Sequence, residues 1–236
     1  MTNALSDKEL EKLLKFVGYG KLNADVWFIG MEEAGGGEKN IRSRLEFKDV
    51  VVDCAEAHET LGISKHHRGK KVIQRTWGGM CSVMLRLEGL ETDRESVRNY
   101  QAYCLGSSHG STLLCELMPI PKPSIGSWGY EKLIPQFASR DEYYQVVKPC
   151  RVKHLQRLLR EHRPKIVIGY GKKYWTYYKE LFPDLKFASS GQFLTAETED
   201  MVVVLTDHFT ARTMNGDLKF KITDNILKKK PLISQE

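Results

Sequence analysis

The apolar residues of the chain include four short continuous runs, and each run predicts a buried β-strand. The runs cover residues 24–30, 111–117, 165–169 and 201–205. Strands that are apolar at consecutive positions are covered on both faces, as the strands of parallel sheets are. Segments with helical spacing of apolar residues lie between the runs. This alternation predicts an α/β fold of three layers, α/β/α, around a small, mostly parallel four-stranded sheet.

Residue types that cap helices mark the predicted boundaries. Ser6, with Glu9 three residues later, has the pattern of a capping box, and the apolar residues after it predict a helix that stops before Gly18. Further helices are predicted to begin at Glu38 and to cover residues 78–90, 93–105, 150–162 and 174–181. A proline-rich turn is predicted at 119–123. Because the chain has no internal repeat, low-complexity segment or clear linker, we expect one domain over residues 1–236.

Composition narrows the class of protein. The 236 residues are 41% hydrophobic and 28% charged, which is ordinary for a soluble globular protein and excludes disorder, collagen and coiled coil as the main state. The net charge of +6 favours an anionic partner such as nucleic acid. No apolar stretch is long enough to span a bilayer, and the polar N-terminus lacks the apolar block of a signal peptide. We therefore expect a cytoplasmic protein with no membrane partner.

The cysteines and histidines do not have the spacing of common metal sites. The five cysteines are widely separated and include no Cys-x-x-Cys pair, which argues against a zinc ribbon or an iron–sulfur cluster. Adjacent histidines such as His66 and His67 point apart on a helix or strand. We therefore expect reduced cysteines, no metal, no cofactor and a monomeric protein.

Residues 65–71 form the most basic segment of the chain and are predicted to be a solvated surface loop. Its four cationic residues are predicted to contact DNA phosphates. They are Lys65, Arg68, Lys70 and Lys71. The basic tail 228–230 is predicted to do the same.

Three predicted strands end in residues that can carry chemistry. Glu32 and Glu33 follow the first strand, Glu116 ends the second, and His208 follows the fourth. Since the carboxyl ends of parallel strands meet at one edge of a sheet, these side chains are expected to converge. A carboxylate that acts as a general base and a histidine that stabilises negative charge can perform a hydrolysis. The alternative is that the two glutamates are solvated loop acids and that the histidine is structural.

The segment Gly169-Tyr170-Gly171 follows the third predicted strand and opens a helix, as dinucleotide-binding loops do. It lacks the third glycine of that fingerprint, because residue 174 is tyrosine. The segment is therefore interpreted as a turn and not as a nucleotide site.

The strand-end residues resemble the motifs of the uracil-DNA glycosylase superfamily. Gly30-Met31-Glu32 resembles the first motif, Glu116 stands at the base-reading position, and His208 with Arg212 resembles the last motif and its wedge residue. The single-strand-selective monofunctional branch is the most similar, since it has a Gly-Met pair and an arginine wedge. The serine and prolines of the last motif are absent here.

This resemblance implies a monofunctional DNA glycosylase that flips out a base and hydrolyses its N-glycosidic bond. It implies that Glu32 orients or deprotonates the attacking water, with Glu33 as the alternative acid. His208 donates a hydrogen bond to the departing base, and Arg212 fills the gap that the flipped nucleotide leaves. Trp77 is predicted to stack on the flipped base, although a lone tryptophan at a helix start is more often core packing.

The predicted base is a 5-substituted cytosine. An ionised Glu116 accepts hydrogen bonds only, which suits the N4 amine of cytosine. Ala34 leaves room at C5, where the uracil-specific branch has an aromatic residue, and Met31 belongs to the same predicted base site. Hydroxymethylated or glucosylated cytosine occurs in phage DNA, so the expected setting is antiviral defence. The alternatives are a uracil or damaged-base repair enzyme, a catalytically silent DNA-binding relative, and a nucleotide-processing α/β enzyme unrelated to DNA.

Overall fold

In a computed structural model that describes residues 3–68, 72–124 and 126–230, helices pack on both faces of an eight-stranded sheet. The α-helices are α1 (Asp7–Lys15), α2 (Glu38–Arg44), α3 (Cys54–Thr60), α4 (Arg75–Leu87), α5 (Arg94–Tyr103), α6 (Arg140–His162), α7 (Trp175–Lys179) and α8 (Gly216–Lys229). The strands are β1 (Gly18–Gly20), β2 (Val26–Ala34), β3 (Val51–Val52), β4 (Thr112–Lys122), β5 (Ile166–Tyr170), β6 (Ala188–Ser189), β7 (Leu194–Glu197) and β8 (Val202–Thr206). Short 3₁₀ helices cover Ser64–His66 and Lys172–Tyr174.

The four predicted strands are neighbours in the middle of the sheet and run parallel to one another. The full strand order is β3-β1-β4-β2-β5-β8-β7-β6. The α/β class is confirmed, but the prediction of a four-stranded sheet is wrong, because β1, β6 and β7 add antiparallel pairings and β3 extends one edge. These outer strands have only two to four residues, too few to produce a clear pattern in the sequence.

Alternate residues of the central strands point to two separate apolar cores. On β2, Trp27 and Ile29 pack with α1 and α6, whereas Val26 and Phe28 pack with α4 and α8. All four of these side chains are at most 1% exposed. The sheet is therefore covered on both faces, which explains why its central strands are apolar at consecutive positions.

Two of the central strands continue past their predicted ends. β2 runs on to Ala34, and β4 runs on to Lys122, with Ala34 paired to Lys122. The predicted proline-rich turn is wrong, because Pro119 and Pro121 lie inside β4. On the other side of β4, the pairing with β1 reaches only Cys115. Past Cys115, β4 does not pair with β1. A proline there, which lacks an N–H, therefore loses no hydrogen bond to β1.

Helix boundaries agree with the cap residues where those were recognised. The capping box of α1 is confirmed, since the Glu9 amide donates to Ser6 and the Ser6 amide donates to Glu9. α6 begins ten residues before its predicted start, with Ser139 as its N-cap, and Pro149 lies inside it. No helix within the described ranges is both long and apolar enough to cross a lipid bilayer.

α8 is a helix that the sequence interpretation omitted. Asn215 caps its N-terminus, and its buried residues include Leu218, Ile222 and Ile226. Two lysines of the predicted phosphate-binding tail lie in its last turn and pair with this chain's own acids. Lys228 is 2.9 Å from Asp224, and Lys229 is 2.8 Å from Glu197.

Candidate active site

Three neighbouring strands bring Glu116, Gly30 and Tyr170 side by side. Glu116 on β4 is the register partner of Gly30 on β2, and Tyr170 ends β5 on the other side of β2. The Tyr170 hydroxyl donates a hydrogen bond to Oε1 of Glu116 at 2.9 Å. A Cβ at Gly30 would lie 2.2 Å from Glu116 Oε2 and 2.3 Å from the Tyr170 hydroxyl. Only glycine leaves room for this contact across the central strand.

The carboxyl group of Glu116 is buried without a paired cation. Its Oε2 atom is inaccessible to solvent and has no hydrogen-bond partner among the described residues. Burial raises the pKa of Glu116 to about 8, although the Tyr170 hydrogen bond lowers it. Repulsion from Glu33 and Glu32 adds to the rise, and the Arg151 cation opposes it. At pH 7 this side chain is therefore mainly a neutral carboxylic acid, which corrects the expectation of an ionised acceptor.

A small cavity opens beside this pair at the carboxyl ends of the parallel strands. Glu116, Tyr170, Glu33, Trp77 and Tyr19 are among the residues that line it. Its volume is about 40 Å³, which holds a few water molecules at roughly 10–15 Å³ each. The cavity thus combines two carboxyl groups with aromatic rings.

Glu33, rather than Glu32, is the acid that reaches the cavity. Its Oε2 accepts a hydrogen bond from the Tyr19 hydroxyl and pairs with Arg44, each at 2.8 Å. Arg44 is 4% exposed. Burial alone would lower the pKa of Arg44, but its charge interactions with Glu33 and Tyr19 raise it above the ordinary value. A permanent cation therefore balances the charge of Glu33.

Glu32, the predicted catalytic acid, is held in a buried ion pair. Its Oε1 lies 2.8 Å from Lys122 Nζ, and the two side chains are only 2% and 1% exposed. Burial raises the pKa of Glu32, while Lys122 and Tyr144 lower it. Glu32 is absent from the cavity lining. The β2–β4 register shifts between Glu32 and Ala34, at the point where the side chains of Glu32 and Glu33 enter different surroundings.

Two of the predicted base-reading residues lie away from the cavity. Met31 is 5% exposed and packs in the core on the opposite face of the sheet from Tyr170. Ala34 is exposed at the end of β2 and does not line the cavity. The predicted contacts of both residues with a base are therefore not supported by their positions.

His208 lies next to Tyr170 in the loop that follows β8. The two ring centroids are 5.4 Å apart. Burial lowers the pKa of His208, which favours the neutral ring. The Thr210 amide donates to His208 Nδ1 at 3.3 Å, so the proton of the neutral imidazole is assigned to Nε2. That nitrogen is then a hydrogen-bond donor. His208 is exposed and, unlike Tyr170, does not line the cavity.

A close approach of α4 to this loop positions both His208 and Trp77. A Cβ at Gly79 would lie 2.7 Å from the ring of Phe209. Phe209 packs against Phe28 and Tyr170, at centroid distances of 5.9 and 5.5 Å. Trp77 is in the same helix as Gly79. The packing of Phe209 against Gly79 therefore fixes the position of the His208 loop relative to the Trp77 side chain.

The predicted basic loop is only partly exposed. Lys65 and Arg68 are on the surface, as is Arg212, whereas Lys70 and Lys71 lie outside the described residues. His66 and His67 are buried, so the prediction of a fully solvated loop is wrong for them. The amide side chain of Gln101 donates to the backbone carbonyls of His66 and Val72 and holds the segment against α5.

Sequence reasoning missed three residues of the site: Gly30 as a spacer, Tyr19 and Tyr170. Tyr170 was interpreted as part of a glycine turn. The available signal was its place at the end of a central strand, level with Gly30 and Glu116. No signal within the three residues of β1 identifies Tyr19, because its contact with Glu33 depends on sheet pairing.

A larger concavity, about 740 Å³, lies between α1 and α6 and shares Val17 with the strand-end cavity. Its lining is mainly aliphatic and includes Leu10, Leu14 and Val147, but none of the predicted site residues. Converging polar groups distinguish binding sites from apolar grooves. The strand-end cavity is therefore the candidate active site despite its small size.

No protein-family model matches the chain, and no curated protein matches its sequence. The residues and contacts of this chain alone therefore indicate its function. Those residues are the acids Glu33 and Glu116, the aromatic residues Trp77 and Tyr170, and His208.

Proposed function

We propose that the protein is a monofunctional DNA glycosylase with a fold and site similar to those of the uracil-DNA glycosylase superfamily. The observation that carries this proposal is the Glu116–Tyr170 hydrogen bond across Gly30, in a cavity shared with Glu33 and Trp77. A carboxyl group with an unused oxygen, an aromatic ring and a second carboxylate are the groups needed to bind a flipped base and its attacking water.

In the proposed mechanism each group has one task. Trp77 stacks on the flipped base and Glu116 pairs with its polar edge. Glu33 orients the attacking water and offsets positive charge on the oxocarbenium-like sugar. His208 donates from Nε2 to the departing base, a donor of the kind that contributes on the order of 100–1000-fold in rate. The exposed cations Lys65, Arg68 and Arg212 contact the DNA.

The two protonation states of Glu116 present different hydrogen-bonding groups to a base. The neutral acid donates from one oxygen and accepts at the other, so it pairs equally with the N3 and N4 groups of cytosine or the N3 and O4 groups of uracil. The ionised form only accepts: it suits the N4 amine of cytosine, whereas against uracil it accepts from N3–H but repels the O4 oxygen. We propose 5-substituted cytosine of phage DNA as the substrate and antiviral defence as the setting. The resemblance of the strand-end motifs carries this choice, because Ala34 does not line the cavity and the neutral Glu116 binds cytosine and uracil equally.

The direct test is an abasic-site assay under single-turnover conditions, over single- and double-stranded DNA with uracil, cytosine and 5-substituted cytosines. Glu33→Gln and His208→Ala should each slow base release by about 100-fold or more. The exposed residues Glu131→Gln and His109→Ala are the matched controls. Thermal unfolding of each variant identifies losses that come from instability, because Glu33→Gln weakens the pair with buried Arg44. Near wild-type rates in both test variants would exclude these assignments.

The choice of base should depend on pH. As pH rises through about 8, where Glu116 ionises, release of uracil should fall relative to release of a 5-substituted cytosine. The measurement is the ratio of the two single-turnover rates between pH 6 and 9, which cancels effects common to both substrates. Glu116→Gln cannot ionise and should abolish the trend. A constant ratio in the native protein would show that Glu116 does not read the base.

A second candidate is a catalytically silent DNA-binding relative. The observations that favour it are the small cavity, about 40 Å³ against the roughly 300–1,000 Å³ of ordinary ligand sites, and the buried Glu32–Lys122 ion pair at the first motif. Salt-dependent binding of DNA with no base release from any substrate of the panel would establish this candidate and exclude the first.

A further inference from the structure

Two buried histidines and a buried cysteine converge behind Trp77, in a cluster that the proposed glycosylase mechanism does not use. Cys54 and His58 lie four residues apart on α3, so they project from one side of that helix. His67 comes from the segment after the 3₁₀ helix Ser64–His66. One ligand atom of each residue lies within 4.8 Å of the other two.

The distances within this cluster are close to those of a tetrahedral metal centre. His67 Nε2 lies 3.1 Å from His58 Nδ1 and 4.0 Å from Cys54 Sγ. Zinc bonds of about 2.0–2.1 Å to nitrogen and 2.3 Å to sulfur place tetrahedral ligand atoms roughly 3.3–3.6 Å apart. His67 Nε2 needs shifts of only a few tenths of an ångström relative to its two neighbours. The ligand atoms of Cys54 and His58, which lie within 4.8 Å of each other, must approach by up to about 1 Å for all three to bind one ion.

The chemical state of these three side chains also suits a transition metal. Cys54 is a free thiol that is 1% exposed, and His58 and His67 are 4% and 6% exposed. His58 Nε2 has no hydrogen-bond partner among the described residues, so this ring is incompletely paired. The neutral imidazole is the ligand form of histidine, and both rings are buried away from solvent.

The surroundings provide negative charge and a route to solvent. Glu33 and Asp53 both act electrostatically on Cys54 and offset the nearby Arg44 cation. A surface depression of about 160 Å³ is lined by His67, Asp53 and Ser107, among others. His67 is the one ligand of the cluster that lines this depression, so solvent reaches the cluster from the His67 side. A water from that side would complete the coordination of an ion that has three protein ligands.

We propose that Cys54, His58 and His67 bind one Zn²⁺ ion, with water as the fourth ligand. Binding releases the Cys54 thiol proton to solvent and leaves a thiolate on the metal. The ion joins α3 to the segment that carries His67. It also fixes the His58 ring, on which Trp77 stacks at a centroid distance of 5.0 Å. This zinc site replaces the expectation of no metal, and it does not depend on the proposed glycosylase activity.

The test uses the full chain, purified and then stripped with a chelator. Elemental analysis of the untreated protein should give about one zinc per chain, and titration of the stripped protein with Co²⁺ should saturate at one equivalent. Tetrahedral Co²⁺ bound to a thiolate gives a sulfur-to-metal charge-transfer band in the near ultraviolet and intense visible bands. Re-addition of Zn²⁺ should raise the unfolding temperature of the stripped protein.

Matched variants identify the ligands. His67→Gln and Cys54→Ser should each weaken metal affinity by at least about 100-fold, since loss of outer-shell partners alone costs 10–100-fold. The neighbouring His66→Gln and the buried Cys81→Ser keep the three ligands and should bind Co²⁺ as the native protein does. Circular dichroism establishes that each variant is folded.

The native protein decides the question even where a variant fails to fold. A Co²⁺ spectrum with a thiolate band supports the site. Absence of that band, or metal binding unchanged in folded His67→Gln, would overturn the proposal. The cluster would then be a hydrogen-bonded pair of neutral histidines beside a thiol.

Discussion

Glu32 and Glu116 are both buried near the carboxyl ends of the central strands, but the protein neutralises them in different ways. Glu32 has a cation, Lys122, at 2.8 Å. Glu116 has only the Tyr170 hydroxyl at 2.9 Å, and its other oxygen has no described partner. The first arrangement keeps a charge inside the protein by pairing it, whereas the second favours a carboxyl group that takes up a proton.

Glu32 therefore has a structural role, whereas Glu116 can change its protonation state and its hydrogen bonds. An ion pair that excludes water fixes both of its side chains, and exchanging it for a ligand would leave a charge buried alone. The neutral Glu116 can donate, accept or ionise according to the group placed against it. A residue that reads a base needs this freedom, and so Glu116 fits a binding role better than Glu32 does.

The largest expected effect is on the ion pair. Lys122→Met should lower the free energy of unfolding by about 3–5 kcal/mol, because it leaves the Glu32 carboxylate buried without its paired cation. Glu116→Gln replaces one neutral group with another and should cost far less at pH 7. Urea denaturation of the two variants measures the contrast.

The double variant Glu32→Leu with Lys122→Met is the control for this contrast. Removing both charges together should restore most of the lost stability, since no unpaired charge remains. Equal losses in Lys122→Met and Glu116→Gln would contradict the distinction between the two acids.

Measuring the free energy of unfolding over a range of pH should distinguish Glu116 further, because its pKa is raised in the folded state. Between its ordinary value of 4.5 and about 8, the folded protein keeps this proton while the unfolded chain has lost it. Stability should therefore fall as pH rises across that window, by up to about 1.4 kcal/mol per pH unit, and level off above it.

Glu116→Gln isolates this contribution from those of the other acids. The measurement is the difference in the free energy of unfolding between native protein and variant, at pH values from 5 to 9. The charged and titratable neighbours Glu33, Glu32, Arg151 and Tyr170 are present in both proteins. A difference that does not change with pH would mean that the carboxyl group is ionised throughout the range.

The central part of the fold was predictable because its strands are buried on both faces. β2, β4, β5 and β8 are continuous apolar runs, and their parallel arrangement places Glu116 and His208 at the same edge. The outer strands depend on backbone pairing over two to four residues and leave little trace in the sequence. α8 was omitted although its cap and its apolar spacing of four residues were present.

The site was predictable by element but not by individual side chain. Glu32 and Glu33 are adjacent, and residues alternate between the two faces of a strand, so a register shift decides which acid reaches the cavity. No feature of the sequence indicates this shift in the β2–β4 register. The burial of His67 against His58 likewise depends on how a loop folds back over α3. Such contacts between distant segments require the three-dimensional arrangement.

The last prediction concerns the glycine that separates Glu116 from Tyr170. Gly30→Ala places a methyl group 2.2 Å from the carboxyl oxygen and 2.3 Å from the hydroxyl, so both side chains must move apart. We expect a loss of about 1–3 kcal/mol in stability from this overpacking. The Glu32–Lys122 pair should remain intact, because it lies outside the contact. Gly216→Ala is the matched control, since nothing lies within 4 Å of its added Cβ.

The pH series then shows whether the strain acts through Glu116. If Gly30→Ala moves the carboxyl group toward water, its pKa should fall and the slope of stability against pH should become shallower. Base release should decline together with that slope, whereas Gly216→Ala should change neither. A variant that loses stability but keeps the native slope would show that the methyl group disturbs the strands without separating Glu116 from Tyr170. The contact across Gly30 would then have no part in controlling the charge of the carboxyl group.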